Sequence, residues 1–230
     1  MKILKFGGKS LSNGEGLDKV VANILDKVNQ GEKIAVVVSA RGNATDELEE
    51  ILSIASKNES YKPLLEQFKL EQQNGFDELD LSEEFTVLEK LFEGVSLIGD
   101  YSSKIKDQIL SIGEVLSAKL VTEILIKNGV NARFADSREL IKTDSKFGDA
   151  QPIEQASKKN VIQYFKENED AVNIVTGFIA SNAKNVTTTL GRNGSNYTAS
   201  LIANYLNAEE LQNYTHVDGI YTANPDLVPD

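Results

Sequence analysis

An arginine flanked by glycines is the first feature of the sequence that could carry chemistry. Arg192 lies between Gly191 and Gly194, after three threonines that favour an extended strand. A guanidinium can hold a carboxylate or a phosphate through two parallel hydrogen bonds. Ser195 is placed to cap a following helix, whose free N–H groups would also attract an anion. The pattern indicates an anion site, although a strand–turn–helix connection with a surface arginine fits it equally well.

A lysine next to two glycines forms a second candidate site near the start of the chain. Lys5 lies at the end of an apolar, β-prone run and just before Gly7 and Gly8. Ligands of α/β sheets bind outside the carboxyl ends of strands, and a lysine above backbone donors suits a transferring phosphoryl group. The alternative is an ordinary surface lysine at a strand end. The sequence has no Gly-x-x-x-x-Gly-Lys-Ser/Thr pattern, which excludes a Walker-type phosphate loop.

Five other polar residues each fit both a functional and a purely structural role. Glu114 could bind an ammonium group, or it could only favour a helix start through the helix dipole. Thr45 could donate a hydrogen bond to a ligand or cap its own helix. His216, the single histidine, has no triad partner at readable spacing. Asp218 fits a turn, and Tyr221 could stack on a base or pack in the core.

Composition limits the kinds of partner. The 230 residues carry a net charge of −11, which disfavours a phosphate backbone, so we expect no nucleic-acid partner. An anionic substrate would need a local positive site. The chain has no cysteine, which excludes disulfides, thiol catalysis and cysteine metal sites. No apolar run has the length of a signal peptide or a membrane span, so we expect a soluble, cytoplasmic protein that meets no membrane.

The hydrophobic pattern alternates between strands and helices, which predicts an α/β fold. Strands are predicted at 2–6, 33–39, 131–135, 172–176 and 210–215, and helices at 17–28, 46–56 and 153–167. The β-branched run at 33–39 indicates a strand that is buried on both faces, as in a parallel sheet. We therefore expect a three-layer αβα sandwich with a mainly parallel sheet.

The segment at about 60–128 interrupts this alternation, because it contains no convincing strand. Its pattern predicts several helices, with breaks near Asn74-Gly75, Gly94 and Gly99. We expect these helices to form an insertion that acts as a lobe or a lid.

Taken together and in this order, these segments resemble the aspartokinases of the amino acid kinase superfamily. The match is carried by Lys5-Phe-Gly-Gly8, Val38-Ser-Ala40 with Thr45, Gly113-Glu114 with Ser117-Ala118, Thr176-Gly-Phe-Ile179, Thr188-Thr-Leu-Gly-Arg192, Gly194-Ser195, Val217-Asp-Gly-Ile-Tyr221 and Val228-Pro-Asp230. Each piece is weak alone, but their common order over the whole chain is specific. Leu190-Gly-Arg-Asn-Gly194 and Gly94-Val-Ser-Leu-Ile-Gly99 look most like the kinase half of bifunctional aspartokinase–homoserine dehydrogenases.

The resemblance implies transfer of the γ-phosphoryl group of ATP to the β-carboxylate of L-aspartate, the first step in making lysine, threonine and methionine. The catalytic residues it implies are Lys5, Gly7, Gly8 and Arg192. The substrate-binding residues it implies are Thr45, Glu114, Arg192, Ser195 and Asn196, with Arg192 on a carboxylate and Glu114 toward the ammonium. The nucleotide-binding residues it implies are Lys5, Gly8, Lys9, Thr215, His216, Asp218 and Tyr221. No metal-ligand spacing is present, so Mg²⁺ is expected to enter with ATP.

The sequence departs from the family pattern at several implied positions. Lys9 replaces the usual Thr, Asn196 replaces an Asp near the substrate ammonium, and His216 replaces an Asp next to the nucleotide. Around Pro225 the usual Asp and Arg are replaced by Asn224 and Asp226. The change at 226 removes a phosphate contact of the family, for which Lys9 could partly compensate.

The resemblance also predicts how the domain is organised. Residues 1–230 are expected to form a catalytic domain that is truncated at its C-terminal end. In the full-length chain, regulatory domains and a homoserine dehydrogenase domain would follow. The full-length protein is expected to form a homo-oligomer. The alternatives are another amino acid kinase, for glutamate or acetylglutamate, and a non-catalytic domain that binds an amino acid or a nucleotide. The Leu-Gly-Arg-Asn-Gly-Ser segment argues against the first, and Lys5 against the second, since a binding module needs no lysine at the phosphates.

Overall fold

A computed structural model describes residues 1–12 and 14–215 of the chain. The strands are β1 (Lys2–Phe6), β2 (Ile34–Val38), β3 (Ala132–Ala135), β4 (Lys142–Thr143), β5 (Val172–Thr176), β6 (Ile179–Asn182), β7 (Thr187–Thr189) and β8 (Glu210–Tyr214). The helices are α1 (Glu15–Asn29), α2 (Ala44–Ala55), α3 (Lys62–Gln73), α4 (Ser82–Ile98), α5 (Ser103–Lys127), α6 (Ser137–Leu140), α7 (Glu154–Glu167) and α8 (Gly194–Tyr205). None of these helices combines the length and the apolar character needed to span a bilayer.

The main sheet has five parallel strands in the order β3-β5-β2-β1-β8. In the register of the sheet, Phe6 at the end of β1 lies between Val38 of β2 and Tyr214 of β8. All five residues of β2 are buried, as its β-branched run predicts. The carboxyl ends of β1, β2 and β8 therefore meet at one edge of the sheet.

Helices cover both faces of this sheet, which confirms the predicted αβα sandwich. Alternate residues of a strand point to opposite faces, so neighbouring residues of β1 and β2 belong to different cores. On one face α7 and α8 pack against residues such as Ile3 and Val37. On the other face α1 and the second half of α5 pack against residues such as Leu4 and Val36.

The segment predicted to be helical forms α3, α4 and α5. Helix α3 ends next to the predicted break at Asn74-Gly75, and α4 ends next to the predicted break at Gly99. The prediction of a break at Gly94 was wrong. A Cβ built on Gly94 would meet nothing within 4 Å, so this glycine lies on the open surface of α4 without interrupting it. The first half of α5 joins α2, α3 and α4 in a separate core, whereas its second half covers the sheet. One 25-residue helix thus links the helical layer to the sandwich.

A second, three-stranded sheet was not predicted. Its order is β4-β6-β7, in which β6 and β7 form an antiparallel hairpin directly after β5. The hairpin returns the chain to the carboxyl edge of the main sheet. Leu190 donates to the carbonyl of Phe178 at 2.9 Å, which closes the hairpin just before the Gly191–Gly194 turn. The small sheet therefore positions the arginine turn.

Candidate functional site

A cleft of about 690 Å³ opens at the carboxyl ends of β1 and β2. It is lined by the loop after β1, the loop between β2 and α2, the first half of α5 and the turn between β7 and α8. Eight of the residues predicted to bind or react line this one cleft: Lys5, Gly7, Gly8, Thr45, Glu114, Arg192, Ser195 and Asn196. Four segments that are distant in sequence thus converge on one cleft.

Lys5 places a positive charge at the floor of the cleft. Its side chain is 9% exposed, and burial lowers its pKa. Within residues 1–12 and 14–215, no carboxylate or carbonyl accepts a hydrogen bond from its Nζ atom. A Cβ built on Gly7 would lie 3.4 Å from this Nζ, so the ammonium lies directly beside the glycine loop. A buried cation without a partner is costly, and an anionic ligand would offset that cost.

Gly8 joins the two loops that form the floor. A Cβ at this position would lie 2.6 Å from the carbonyl oxygen of Ala40, a distance that real Cβ atoms do not adopt. Gly42 donates to the Gly8 carbonyl at 2.9 Å, which fixes the two backbones against each other. The glycine is therefore required for close approach of the loops, whatever ligand binds above them.

Glu114 is buried in the middle of α5, so the interpretation as a helix-start residue was wrong. Its Oε1 atom accepts a hydrogen bond from the Ala40 backbone N–H at 3.2 Å. Its Oε2 atom is buried and has no hydrogen-bond partner among the described residues. Burial raises the pKa of Glu114 to about 8. The free oxygen is thus ready to accept a proton or a hydrogen bond from a ligand.

Gly113, next to Glu114, serves close packing of the helix rather than access of a ligand. A Cβ there would lie 3.1 Å from the Cβ atom of Ala40. The missing side chain lets α5 pack closely against the loop after β2. This contact brings Glu114 within reach of the Ala40 N–H.

The turn before α8 holds Arg192 at the rim of the cleft, where its side chain is exposed. Gly191 has φ 73° and Asn193 has φ 59°, so two left-handed residues flank the arginine. Ser195 is not the cap of α8, because the helix begins at Gly194 and Asn193 occupies the cap position. A Cβ built on Gly194 would lie 2.6 Å from the Phe178 ring, which explains why a glycine begins this helix.

Asn196 adds a second unpaired acceptor. Its Oδ1 atom is buried and has no hydrogen-bond partner among the described residues. Buried polar atoms normally have a hydrogen-bond partner. Two acceptors without partners on one cleft therefore indicate a ligand with several donors. Asn196 and Glu114 together therefore suit an ammonium group, which has three N–H donors.

Thr45 lines the cleft as the second residue of α2, and Asn43 occupies the cap position of that helix. The interpretation of Thr45 as a helix cap was therefore wrong. Its half-buried side chain lies on the cleft, where it can contact a ligand instead.

Only some of the residues predicted to bind the nucleotide belong to the described part of the chain. Lys9 is exposed in the short 3₁₀ turn Gly8–Leu11 and does not line the cleft. Thr215 is exposed directly after β8 and does not line it either. His216, Asp218, Tyr221, Asn224 and Asp226 lie outside the described residues. Their roles stay predictions.

Sequence analysis missed Asp107, which is 1% exposed and lines the same cleft. It also missed Lys106, whose Nζ lies 2.9 Å from Glu49 Oε1. Asp107 lies two helical turns before Glu114, so both face the same side of α5. This seven-residue spacing from Glu114 is the feature of the sequence that could have identified Asp107. In the part of the chain that the structure describes, no three acidic or histidine side chains form a metal cluster.

A parallel αβα sandwich that gathers cations and a buried carboxylate at the carboxyl ends of its strands defines a small-molecule-binding α/β domain. The model of the amino acid kinase family matches residues 1–230, and the chain belongs to this family.

The similar proteins confirm the resemblance to aspartokinases. The chain is 32% identical to a bifunctional aspartokinase/homoserine dehydrogenase of Buchnera aphidicola, over 100% of this chain and 30% of that protein. It is 30% identical to lysine-sensitive aspartokinase 3 of Escherichia coli, over 98% of this chain and 51% of that protein. The crystal structure of E. coli aspartokinase III with aspartate and ADP superposes with a TM-score of 0.88 at 30% identity, over 99% of this chain and 52% of the other. The chain therefore spans between about a third and a half of the length of these relatives.

Proposed function

We propose that this chain is an aspartate kinase catalytic domain, which transfers the γ-phosphoryl group of ATP to the β-carboxylate of L-aspartate. The observation that carries the proposal is the convergence of Lys5, Glu114 and Arg192 on one cleft. The similarity to a structure that contains aspartate and ADP supports the same choice of substrates.

The charges around the cleft suit two anionic substrates. Arg192 at the rim can hold a carboxylate through two hydrogen bonds, and Lys5 can neutralise charge on the transferring phosphoryl group. Glu114 and Asn196 offer their unpaired oxygens to the substrate ammonium. Because the chain carries a net charge of −11, these local cations are needed to offset its repulsion of ATP and aspartate. Phosphoryl transfer depends on such positioning and neutralisation more than on covalent chemistry.

We propose that Mg²⁺ enters with ATP. The described residues contain no cluster of three metal ligands, and both oxygens of Asp107 already accept hydrogen bonds. When bound, Mg²⁺ would neutralise charge on the phosphates. The homo-oligomer, the cytoplasmic location and the additional domains of a longer protein stay predictions.

A phosphoryl-transfer assay on the full-length gene product tests the proposed function. ATP and Mg²⁺ are supplied with aspartate, glutamate or N-acetylglutamate, and the acyl phosphate is trapped with hydroxylamine. We expect product with aspartate and much less with the other two acceptors. Product with glutamate or N-acetylglutamate alone would instead assign a different amino acid kinase, and aspartate binding without product would assign a regulatory domain.

Replacing Arg192 with Lys should raise the KM for aspartate by about tenfold, because lysine cannot reproduce the two parallel hydrogen bonds of the guanidinium. The KM for ATP should change little. Arg133→Lys, an exposed position on β3 outside the cleft, is the matched control. An aspartate KM that stays the same in Arg192→Lys would place the substrate carboxylate elsewhere.

Replacing Asn196 with Asp should lower the KM for aspartate by about fivefold, since a carboxylate near the ammonium adds roughly 1 kcal/mol of attraction. Asn204→Asp adds the same charge to an exposed position of α8 and serves as the control. Steady-state kinetics at several salt concentrations would measure both variants. Equal behaviour of the two would show that Asn196 does not face the ammonium.

A further inference from the structure

The buried carboxylate of Asp107 connects two elements of the cleft that are far apart in sequence. Its Oδ1 atom accepts from the Thr189 hydroxyl at 2.9 Å, and its Oδ2 atom accepts from the Thr189 N–H at 3.0 Å. The same Oδ2 atom accepts from the Gly148 N–H, also at 3.0 Å. We call these three hydrogen bonds the Asp107 clamp. Burial raises the pKa of Asp107, whereas these bonds favour its charged form.

The partners of the clamp hold the turn that carries Arg192. Thr189 is the last residue of β7 and lies three positions before the arginine. Its carbonyl accepts from the Ala150 N–H at 2.9 Å, which fixes the loop containing Gly148 against β7. A Cβ on Gly191 would lie 3.4 Å from the Gly148 carbonyl oxygen, so this loop also contacts the turn itself. The clamp therefore determines where the turn begins.

The other end of the clamp is rigidly connected to Glu114. Both carboxylates lie on α5 seven residues apart, a rise of about 10 Å along one face of the helix. Glu114 is held in turn by the Ala40 N–H. The helix thus fixes Glu114 relative to Asp107, and Asp107 fixes Thr189 and the arginine turn relative to the helix. Among the described residues, no other side-chain hydrogen bond joins α5 to β7.

We propose that Asp107 is a positioning residue that sets the distance between Glu114 and Arg192, and thereby the length of the amino dicarboxylate that the cleft accepts. This inference rests on the proposed function, in which Glu114 binds the ammonium and Arg192 a carboxylate. Aspartate and glutamate differ by one methylene group, so a small change of this distance is enough to alter the preference. Asp107 itself needs no contact with substrate.

The kinetic test compares Asp107→Ala with Asp107→Asn in the full-length gene product. Alanine leaves the N–H groups of Thr189 and Gly148 without their acceptor. Asparagine can restore the clamp, because its oxygen can replace Oδ2 while its amide donates to the Thr189 hydroxyl. For Asp107→Ala we expect about a tenfold rise in the aspartate KM and a weaker preference for aspartate over glutamate, with the ATP KM changed by less than about twofold. Asp107→Asn should restore most of the wild-type aspartate KM and most of the preference for aspartate over glutamate.

Two further variants separate positioning from general loss of stability. Thr189→Val removes only the hydroxyl of the clamp and should change the same parameters in the same direction by a smaller factor, and it carries the test if Asp107→Ala does not fold. Thr122→Val is the control, since the Thr122 hydroxyl donates within α5, to the Ala118 carbonyl at 2.7 Å. The control should leave the aspartate preference at the wild-type value.

Hydrogen exchange gives a readout that does not depend on activity. The amides of Gly148 and of 189–196 should exchange faster in Asp107→Ala than in the wild type or in Thr122→Val. Wild-type protein that phosphorylates no aspartate would reject the proposed function, while exchange would still test the clamp. Unchanged exchange in Asp107→Ala would overturn the inference. So would an aspartate preference in Asp107→Ala equal to that of an active wild type.

Discussion

Lys5→Met should lower kcat by about 100-fold or more and leave the protein folded. The lysine is the buried cation of the cleft floor and lies beside Gly7, where the proposal places the transferring phosphoryl group. Loss of one preorganised charge that acts on a developing negative charge typically has an effect of this size. Methionine keeps an unbranched apolar stem in the same space. Because burial lowers the pKa of Lys5, removing its charge should not reduce the free energy of unfolding.

Lys2→Met provides the control for this prediction. Lys2 lies at the opposite end of β1 and pairs with Glu32 at 2.8 Å, away from the cleft. Its replacement should leave kcat at the wild-type value. The measurement is kcat at saturating ATP and aspartate, together with thermal unfolding of each variant. A kcat in Lys5→Met near that of the control would remove Lys5 from the phosphoryl-transfer step.

The layers of the fold were predictable because burial leaves a local pattern. The apolar run of β2 and the helical spacing of α1 and α7 correspond to their positions in the sandwich. In the second sheet only β7 left a local signal, the three threonines Thr187–Thr189 that favour an extended strand. The strands of this sheet have two to four residues and include polar side chains such as Lys142, Ser181 and Asn182, which are stabilised by contacts distant in sequence.

Local sequence can indicate which residues line the cleft, but not the residues whose role depends on contacts distant in sequence. An arginine between glycines, or a lysine before a glycine pair, suggests an anion site, although a surface side chain fits either pattern; the structure shows that both residues line one cleft. Asp107 resembles any solvated helix residue until its hydrogen bonds to Thr189 and Gly148 are known. The cap of α8 was misassigned to Ser195 because serine is a common cap residue. The sequence does not show that Asn193 adopts a left-handed backbone and takes the cap position instead.

Glu114→Gln should raise the KM for aspartate by about 100-fold, the effect of leaving one partner of a buried charge pair without the other. A glutamine can accept from the Ala40 N–H as Glu114 Oε1 does, but its amide N–H then occupies the place of Oε2. A donor would face the substrate ammonium there. The wild-type KM should fall as pH rises toward about 8, the pKa of Glu114, because the carboxylate form binds the ammonium. The KM of the variant should be high and show no such decrease.

The same substitution should stabilise the protein without ligand, with a defined dependence on pH. The folded pKa of about 8 lies above the ordinary 4.5, so between these values the folded protein keeps a proton that the unfolded chain has lost. Stability of the wild type therefore falls as pH rises through this window, and glutamine has no proton to lose. Near pH 4.5 the Tm of Glu114→Gln should equal that of the wild type, and as the pH rises toward about 8 it should exceed the wild-type Tm by an increasing amount. A Tm difference that does not depend on pH would contradict a neutral buried Glu114. A gain in Tm together with loss of aspartate binding would show that Glu114 is retained for its ligand at a cost in stability.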